Sequence, residues 1–420
     1  MKSANRILFA CMGLAGAVLA ADLAHAQVVI NGTGSSAGRQ FAAFVPTNLS
    51  LCDAAPTPIY YRDTNNPPNK TEWQCNRGGV PTVYRYSATA SADGFLKQPN
   101  GATATASYLL TTHASCPAPA AAVVDGRNVL QSICTAANPF QNLVVHFGAS
   151  DVKAASFAIT ANGTTLVNPP AGHLTANPIV AVPFSIVLGG NVRAKGGVNP
   201  IASLPLPVLR QILSGDVETF GGDWQTLGYD TTTANKVITV CHRTPGSGTL
   251  ATLQQTVMQI PQFPGINPTA SATNLFNASS SNMKACVENN PNAIGYIDAD
   301  TVPNLLNGAY QVGINGLYPS NAAYGVGIAK TKDVRCGGYV YWADWNIVTR
   351  NGGVEAAPVS AVAGTNATIA AFQAAAIASN PLPDYWAGAN DTFVFKPEDK
   401  GPHSFLTSNG NGVNSQTVCQ

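Results

Sequence analysis

Short β-like runs alternate with helical stretches along this chain, and this alternation is the feature that most limits its fold. Residues 236–243, "KVITVCHR", form a β-like run that leads into the helical pattern of residues 247–259, "SGTLATLQQTVMQ". The other runs with the composition of strands are residues 27–32, 81–88, 142–151, 179–190 and 292–298. Further helices are expected at residues 205–215 and 366–381. Strands and helices in alternation predict an α/β protein with mainly parallel sheets.

Residues 1–26 have the three parts of a secretory signal peptide. Lys2 and Arg6 give a positive start, and residues 7–20 form an apolar core that is too short to span a membrane. The triplet "AHA" at residues 24–26 is a cleavage site, and no cysteine stands there to accept a lipid. We therefore expect a periplasmic or secreted protein without a lipid anchor. An N-terminal membrane anchor is the alternative.

The composition favours a folded protein and excludes one class of partner. Hydrophobic residues make up 45% of the chain, which is enough to supply a core. Charged residues make up only 10%, and the formal net charge is +1. Because no basic block is present, no nucleic-acid partner is expected. The length of 420 residues indicates two lobes or domains.

The cysteines form an even set once Cys11, in the signal peptide, is removed. An even number in an exported chain predicts disulfides, and the lack of CxxC or zinc-like Cys/His spacing predicts no metal site. Many pairings are open, and we expect neighbours in sequence to pair as Cys52–Cys75, Cys116–Cys134, Cys241–Cys286 and Cys336–Cys419. The polar stretches 47–79 and 99–127 carry proline and cysteine and are expected to be disulfide-stapled surface insertions.

Three turns follow β-like runs and combine small residues with hydroxyls. They are "NGTGSSAG" at residues 31–38, "FGASD" at 147–151 and "RTPGSGT" at 243–249. Unpaired backbone N–H groups at the start of a helix carry partial positive charge and favour an anion. Ligands of α/β sheets bind outside the carboxyl ends of the strands, so converging turns would surround a tetrahedral oxyanion. Arg243 would add a charge-assisted donor.

Each turn has an ordinary structural interpretation when it is taken alone. A Ser-Gly-Thr sequence at a helix start is usually just an N-cap, and an isolated Arg243 is more often part of a structural ion pair. No Gly-Lys-Ser/Thr follows any of the turns, so none is a nucleotide-binding loop. A hydrolase with Ser247 beside His242 is a further alternative, although no Gly-x-Ser-x-Gly sequence is present.

The order of the turns adds information that no single turn has. The segments "YSATASADG" at residues 86–94 and "NAIGY" at 292–296 accompany them, and "LRQILSGDVETFGGDW" spans residues 209–224. In this order, from about residue 29 to residue 300, the chain resembles the phosphate-binding proteins that feed bacterial phosphate ABC importers. The family's Phe-Gly-Ala-Ser-Asp and Arg-x-x-Gly-Ser-Gly-Thr motifs are intact. The chain looks like a divergent member with Cys-bearing insertions.

The resemblance implies a two-lobed type II periplasmic-binding-protein fold, in which each lobe is a mainly parallel sheet flanked by helices. Lobe I would comprise residues 27–188 and return with residues 329–420, while lobe II would comprise residues 189–328. The ligand would be inorganic phosphate or a similar oxyanion, held in the cleft between the lobes. The resemblance further implies a monomer that serves an ABC permease, with no cofactor and no catalysis. The alternative is a secreted non-transport module of the same fold, such as an adhesin or scaffold.

The resemblance also implies which residues bind the anion. They are Ser36 and Ser91 through their hydroxyls, Ala37 through its backbone N–H, Asp151, Arg243, and the helix start of Ser247, Gly248 and Thr249. Asp151 would accept the proton of a protonated phosphate and so exclude sulfate, because an unpaired buried charge costs several kcal/mol. The alternative is that Asp151 only caps the helix that follows. Pro245 stands where the family usually has an acid beside the arginine.

Overall fold

The structure is a computed structural model. It describes residues 27–39, 51–65, 68–97, 104–124, 126–135, 140–158, 160–161, 164–165, 174–216, 222–351, 359–378, 382–388, 390–396, 399 and 404–419. The expected signal peptide, residues 1–26, lies outside the described residues.

Strands account for most of the regular structure. Up to residue 165 they are β1 (Val28–Gly34), β2 (Ile59–Asp63), β3 (Lys70–Arg77), β4 (Val80–Ala88), β5 (Thr105–Leu109), β6 (Ala120–Val124), β7 (Arg127–Cys134), β8 (Phe140–Val144), β9 (Phe147–Ser150), β10 (Thr160–Ala161) and β11 (Thr164–Thr165). Beyond residue 165 they are β12 (Leu174–Leu188), β13 (Val192–Arg193), β14 (Ser203–Leu204), β15 (Asp230–Thr231), β16 (Thr239–Arg243), β17 (Asn274–Asn277), β18 (Ala293–Asp298), β19 (Tyr310–Ile314), β20 (Trp342–Arg350), β21 (Ala387–Gly388), β22 (Val394–Phe395) and β23 (Ser404–Phe405).

Helices lie between and beside the strands. They are α1 (Asp93–Leu96), α2 (Leu206–Ser214), α3 (Gly248–Thr252), α4 (Ser280–Asn289), α5 (Lys332–Arg335), α6 (Val359–Ala378) and α7 (Ser415–Cys419). Helix α3 continues directly into a π-helical turn at Leu253–Val257. Short 3-10 helices occupy Ala154–Ala158, Ala299–Asn304, Ala322–Tyr324 and Gly327–Thr331.

One strand, β12, links the two halves of the main sheet. Its first part pairs antiparallel with β20, and its last five residues pair with β18 instead. The strand order is β17-β16-β18-β12-β20-β9-β1-β4-β3-β2-β7-β6. Residues 179–188 of β12 are all buried, so the crossing strand lies in the core. The lobe boundaries at residues 188 and 328 stay a prediction.

The parallel part of the sheet lies where the three turns begin. Strand β1 is parallel to β4 and β9, and β16 is parallel to β17 and β18. The carboxyl ends of these strands therefore supply the expected turns. Antiparallel pairs at β12, β20 and the β2–β3–β4 run make the whole sheet mixed. The predicted α/β class is confirmed.

The described part of the stretch at residues 47–79 belongs to the main sheet, not to the surface, although its expected Cys52–Cys75 disulfide is present. Its strands β2 and β3 extend the main sheet from β4. Trp73 in β3 is only 1% exposed and stacks on Tyr60 of β2 with ring centroids 4.4 Å apart. The polar composition does not reveal this burial, because β3 also buries the polar residues Thr71 and Glu72 beside Trp73.

The strand expected at residues 142–151 is divided into two. Strand β8 pairs with β5 in a separate two-stranded sheet, whereas β9 joins the main sheet. Between them His146 is tied to β1, because its Nδ1 accepts a hydrogen bond from the backbone N–H of Asn31 at 3.1 Å. The chain therefore changes partners within one continuous β-like run.

The helix expected at residues 205–215 is present as α2. Its buried face consists of Leu209, Ile212 and Leu213, as the apolar spacing indicates. It ends at Gly215, whose φ of 81° is a left-handed conformation that glycine adopts without strain. Helix α6 begins at Val359 and is longer than the expected 366–381 helix at its N-terminal end.

Four disulfides join the cysteines in the expected neighbour pattern. Such bonds persist in oxidising compartments outside the cytoplasm. The Cys241–Cys286 bond joins β16 to α4 and closes a sequence separation of 45 residues. Within the described residues, no helix combines the length and apolar character that a membrane crossing requires.

Replacing both Cys241 and Cys286 by alanine should lower the free energy of unfolding by roughly 4 kcal/mol, because the denatured chain regains the freedom of a long loop. Denaturant unfolding measures this difference. The matched control removes Cys116 and Cys134, whose separation of 18 residues predicts a smaller loss of about 3 kcal/mol. If the variant without Cys241 and Cys286 unfolded at the same denaturant concentration as the wild type, the Cys241–Cys286 disulfide would be contradicted.

Candidate functional site

The first two turns are held together by backbone contacts at the ends of β1 and β9. The N–H of Ser35 donates to the carbonyl oxygen of Ala149 at 2.8 Å. Gly34 has φ of 130° and lies so close to Ala149 that a Cβ would overlap that carbonyl oxygen. Only glycine permits this approach, so Ser35 and Asp151 are brought next to each other.

Asp151 lies at the centre of the site. It is 1% exposed, and its Oδ1 accepts a hydrogen bond from Ser35 Oγ while its Oδ2 accepts one from Ser91 Oγ at 2.9 Å. Burial raises the pKa of Asp151 to about 7, although both hydroxyls and the nearby Arg243 act in the opposite direction. The carboxyl therefore changes protonation state near neutral pH.

The third turn packs directly on this carboxyl. A Cβ at Gly248 would overlap both Ser91 Oγ and Asp151 Oδ2. The backbone N–H of Ala92 donates to the carbonyl oxygen of Gly246 at 2.9 Å, which ties the segment at residues 86–94 to the third turn. Ser247 is the N-cap of α3, since its Oγ accepts from the N–H of Leu250 at 3.3 Å. Ser247 therefore caps the helix as expected and also lies at the predicted site.

Arg243 ends β16 and is fully enclosed. Its Nη1 donates to Ser280 Oγ at 2.9 Å, and its other side-chain bonds go to the carbonyl oxygens of Asn277 and Ala278. Burial lowers the pKa of Arg243, while Asp298 is the carboxylate that most opposes this effect. Pro245 cannot supply a negative charge to Arg243, and Asp298 is the acid that favours the charged form of the arginine instead.

Ser280 connects Arg243 to the first turn. Its Oγ lies 3.0 Å from Ser36 Oγ and also accepts from Arg243. Ser280 opens α4, which the Cys241–Cys286 disulfide fixes to the strand of Arg243. Thr249 is buried nearby in α3, its Oγ1 has no hydrogen-bond partner, and its carbonyl oxygen accepts from Tyr341 at 3.0 Å. An unpartnered buried hydroxyl costs free energy unless a ligand or water satisfies it.

The structure buries all the predicted residues and brings several of them into contact through Ser280, Asp151 and Gly248. The buried residues are Ser36, Ala37, Ser91, Asp151, Arg243, Ser247, Gly248 and Thr249, of which Ala37 is placed only by its position after Ser36. Ser35, rather than its neighbour Ser36, contacts the carboxyl of Asp151. Asp151 does not cap a following helix: the hydroxyl of Ser150 receives the N–H of Val152 instead.

Sequence reasoning missed several residues of the site. Besides Ser35, they are Arg39, Ser280, Asp298 and Asp300, all of them buried. Asp298 and Asp300 lie two and four residues after the "NAIGY" segment, so their closeness to a recognised motif could have marked them as site residues. Ser280 lies in a run of three serines that resembles any helix start.

The proposed Ser247–His242 pair does not form a catalytic arrangement. The Ser247 hydroxyl caps α3, and His242 has its Nδ1 3.4 Å from the hydroxyl of Tyr296. Burial lowers the pKa of His242 to about 3, so the ring is neutral and remains a poor base. The alternative of a hydrolase loses its support here.

The family model described as the PBP (periplasmic-binding-protein) superfamily domain matches residues 134–352, which is more than half of the chain. The chain belongs to this family. The two-lobed fold expected from the order of the turns is the fold of this PBP family, and that expectation is confirmed. No curated protein matches the sequence.

Several solved structures are similar to this PBP-family chain at low identity. A Clostridium perfringens protein assigned as a phosphate ABC transporter substrate-binding protein, with bound phosphate, is 12% identical with a TM-score of 0.45 over 82% of this chain and 98% of its own. The high-affinity periplasmic phosphate-binding protein PfluDING, also bound with phosphate, is 13% identical with a TM-score of 0.44 over 86% and 90%. Corynebacterium glutamicum OxyR is 9% identical with a TM-score of 0.34 over 88% and 73%.

Gly248→Ala should move the third turn away from Asp151 and lower the free energy of unfolding by about 1–3 kcal/mol, because the added methyl has no space. Denaturant titration measures the change. Gly338→Ala is the control, since a Cβ there meets only ordinary contacts at 3.4 Å and beyond. It should change stability by less than about 0.5 kcal/mol. Equal effects in the two variants would show that the packing at Gly248 is not tight.

Asp151 should make the ligand-free protein less stable as the pH rises. The unfolded chain releases this proton near about pH 4, whereas the folded protein keeps it up to about pH 7. The free energy of unfolding therefore falls between those values, by up to about 4 kcal/mol from this group. Asp151→Asn should remove this part of the slope, measured as the difference between variant and wild type. Parallel pH profiles would contradict the raised pKa.

Proposed function

We propose that the protein captures a tetrahedral oxyanion, inorganic phosphate, in the cleft between its two lobes and delivers it to an ABC importer. The observation that carries the proposal is the buried Asp151 carboxyl at the meeting point of three strand-end turns, beside Arg243. Two carboxylate oxygens offer more acceptor positions than Ser35 and Ser91 occupy, so Asp151 can also accept a P–OH proton. The lobes are those expected from the sequence, with boundaries near residues 188 and 328.

The other groups of the site suit the remaining phosphate oxygens. Arg243 offers a planar charged donor, and Ser36 and Thr249 offer hydroxyls. The N-terminal end of the continuous α3 and π-helical segment offers partial positive charge. Closure of the cleft around the ion would remove it from water and strengthen each of these interactions.

Asp151 supplies the basis for discrimination between anions. Phosphate near neutral pH keeps a hydrogen that can be donated to an ionised carboxylate, whereas sulfate has none. A sulfate ion beside Asp151 would therefore leave two negative groups facing each other or require the carboxyl to be protonated. Since the pKa of Asp151 is raised to about 7, sulfate should become a better competitor as the pH falls below 7.

Isothermal titration with phosphate and with sulfate near about pH 8 tests the function. Wild-type protein should bind phosphate at least about 100-fold more tightly than sulfate. Asp151→Asn should reduce this ratio to about tenfold or less, because the amide can donate to sulfate. Arg243→Ala should weaken both anions by about 2–5 kcal/mol.

Arg62→Ala is the control for these titrations, since the Arg62 guanidinium donates to backbone oxygens of Asp63 and Asn65, which belong to none of the three turns. It should bind both anions as the wild type does. Failure of the wild type to bind phosphate at millimolar concentration would overturn the proposed function. That result would favour the alternative of a secreted non-transport module. The region of strands β2 to β7, which carries two disulfides, is compatible with such a module.

A further inference from the structure

Arg39 is a second buried guanidinium near the site, and the proposed function does not use it. It follows the first turn directly and is 1% exposed. Its Nη1 donates to Asn69 Oδ1 at 3.0 Å, while its Nη2 is buried and has no hydrogen-bond partner in the part of the chain that the structure describes. A guanidinium donor left unsatisfied in the interior is costly, so a second acceptor is needed there.

Arg39 follows Ser36 by three residues, and the Ser36 hydroxyl lies 3.0 Å from the Ser280 hydroxyl that Arg243 contacts, so both guanidinium groups belong to the surroundings of the first turn. Arg39 contributes to lowering the pKa of Arg243, as one positive charge does to another. Among the described residues, no carboxylate lies within 4.0 Å of either guanidinium. The acceptors that the two groups contact there are neutral oxygens of Asn69, Asn277, Ala278 and Ser280. Two positive charges are therefore enclosed without a contacting anion, an arrangement that costs several kcal/mol unless an anion joins them.

The surrounding acids supply only part of the missing negative charge. Asp151, Asp298 and Asp300 are the buried carboxyl groups that act on the two arginines. Burial raises the pKa of Asp151 to about 7, and burial together with Asp298 raises the pKa of Asp300. Near neutral pH Asp151 is therefore only partly ionised and Asp300 stays mostly protonated, while the nearby Tyr86 is a neutral phenol that donates to the Ser35 carbonyl oxygen.

We propose that Arg39 is a second anion-binding guanidinium that acts with Arg243, so that the site selects the doubly charged form of its tetrahedral anion. The inference rests on the proposed function and adds the charge state of the ligand to it. The free Nη2 of Arg39 would donate to an oxygen of the ion, and Asn69 would hold the guanidinium in place through Nη1. For phosphate the selected form is the dianion, which still carries the proton that Asp151 accepts.

Arg39→Gln removes the charge and keeps a polar side chain. Phosphate affinity, measured by isothermal titration, should fall about 100-fold near about pH 8, where phosphate is mainly the dianion. The loss should be only about tenfold near about pH 6, where the monoanion dominates. Arg39→Lys should recover at least about tenfold of the loss near pH 8 because it restores the charge. Arg39→Met replaces Arg39→Gln if the glutamine variant does not fold.

Asn69→Ala is the comparison variant that separates positioning from charge: it releases Arg39 Nη1 but keeps both guanidinium charges, so its affinity loss should be small and the same at both pH values. It should weaken phosphate binding by no more than about threefold. If Arg39 were purely structural, the affinity loss in Arg39→Gln would be equal at both pH values, and Asn69→Ala would reproduce it. Either that pattern or unchanged phosphate binding by Arg39→Gln overturns this inference alone. Failure of the wild type to bind phosphate overturns the proposed function and this inference with it.

Discussion

The removal of the Asp151 carboxyl from water is the interaction on which the rest of the site depends. Two serine hydroxyls satisfy the carboxyl, and Gly248 closes over it. Ser35 comes from the first turn, Ser91 from the segment at residues 86–94 and Gly248 from the third turn, so the burial of Asp151 depends on several distant parts of the chain meeting. Gly34 and Gly248 are required for this approach, because a Cβ at either position would overlap its neighbours. The same burial gives Asp151 its raised pKa.

The scaffold explains how turns from distant parts of the chain meet. Strand β12 pairs with β20 at one end and with β18 at the other, so it holds both halves of the sheet in one register. The Cys241–Cys286 disulfide then fixes α4 to β16, and this places Ser280 against Arg243. Ser280 also reaches Ser36, which makes this serine a bridge between the first and third turns. Small residues and hydroxyls thus position one guanidinium without a direct ion pair.

The sequence was sufficient to predict the fold class and the convergence of the three turns. Alternating strands and helices predicted the α/β class. The resemblance to phosphate-binding proteins implied a site built from the three turns, and Ser91, Asp151 and Gly248 do lie in contact. Neighbour pairing of the cysteines was also confirmed. The prediction of converging turns holds because the turns are local patterns at the ends of strands, where the geometry of a parallel sheet decides which residues can meet.

Other features depend on tertiary contacts that no local pattern reports. Whether Ser35 or Ser36 reaches Asp151 is decided by the exact backbone path after Gly34, not by composition. Arg39 and Asp300 look like ordinary surface charges in the sequence, and only the fold shows that they are buried. The polar composition of residues 47–79 predicts a surface insertion, whereas β2 and β3 join the main sheet and β3 buries the polar residues Thr71 and Glu72.

The most direct measurement of the central claim is a crystal structure of the protein grown with phosphate. The account predicts one phosphate ion enclosed by the three turns, with one oxygen within hydrogen-bond distance of an Asp151 carboxylate oxygen and others contacted by Arg243 and Thr249. A phosphate ion bound elsewhere, or a cleft in which Asp151 faces away from the ion, would contradict it.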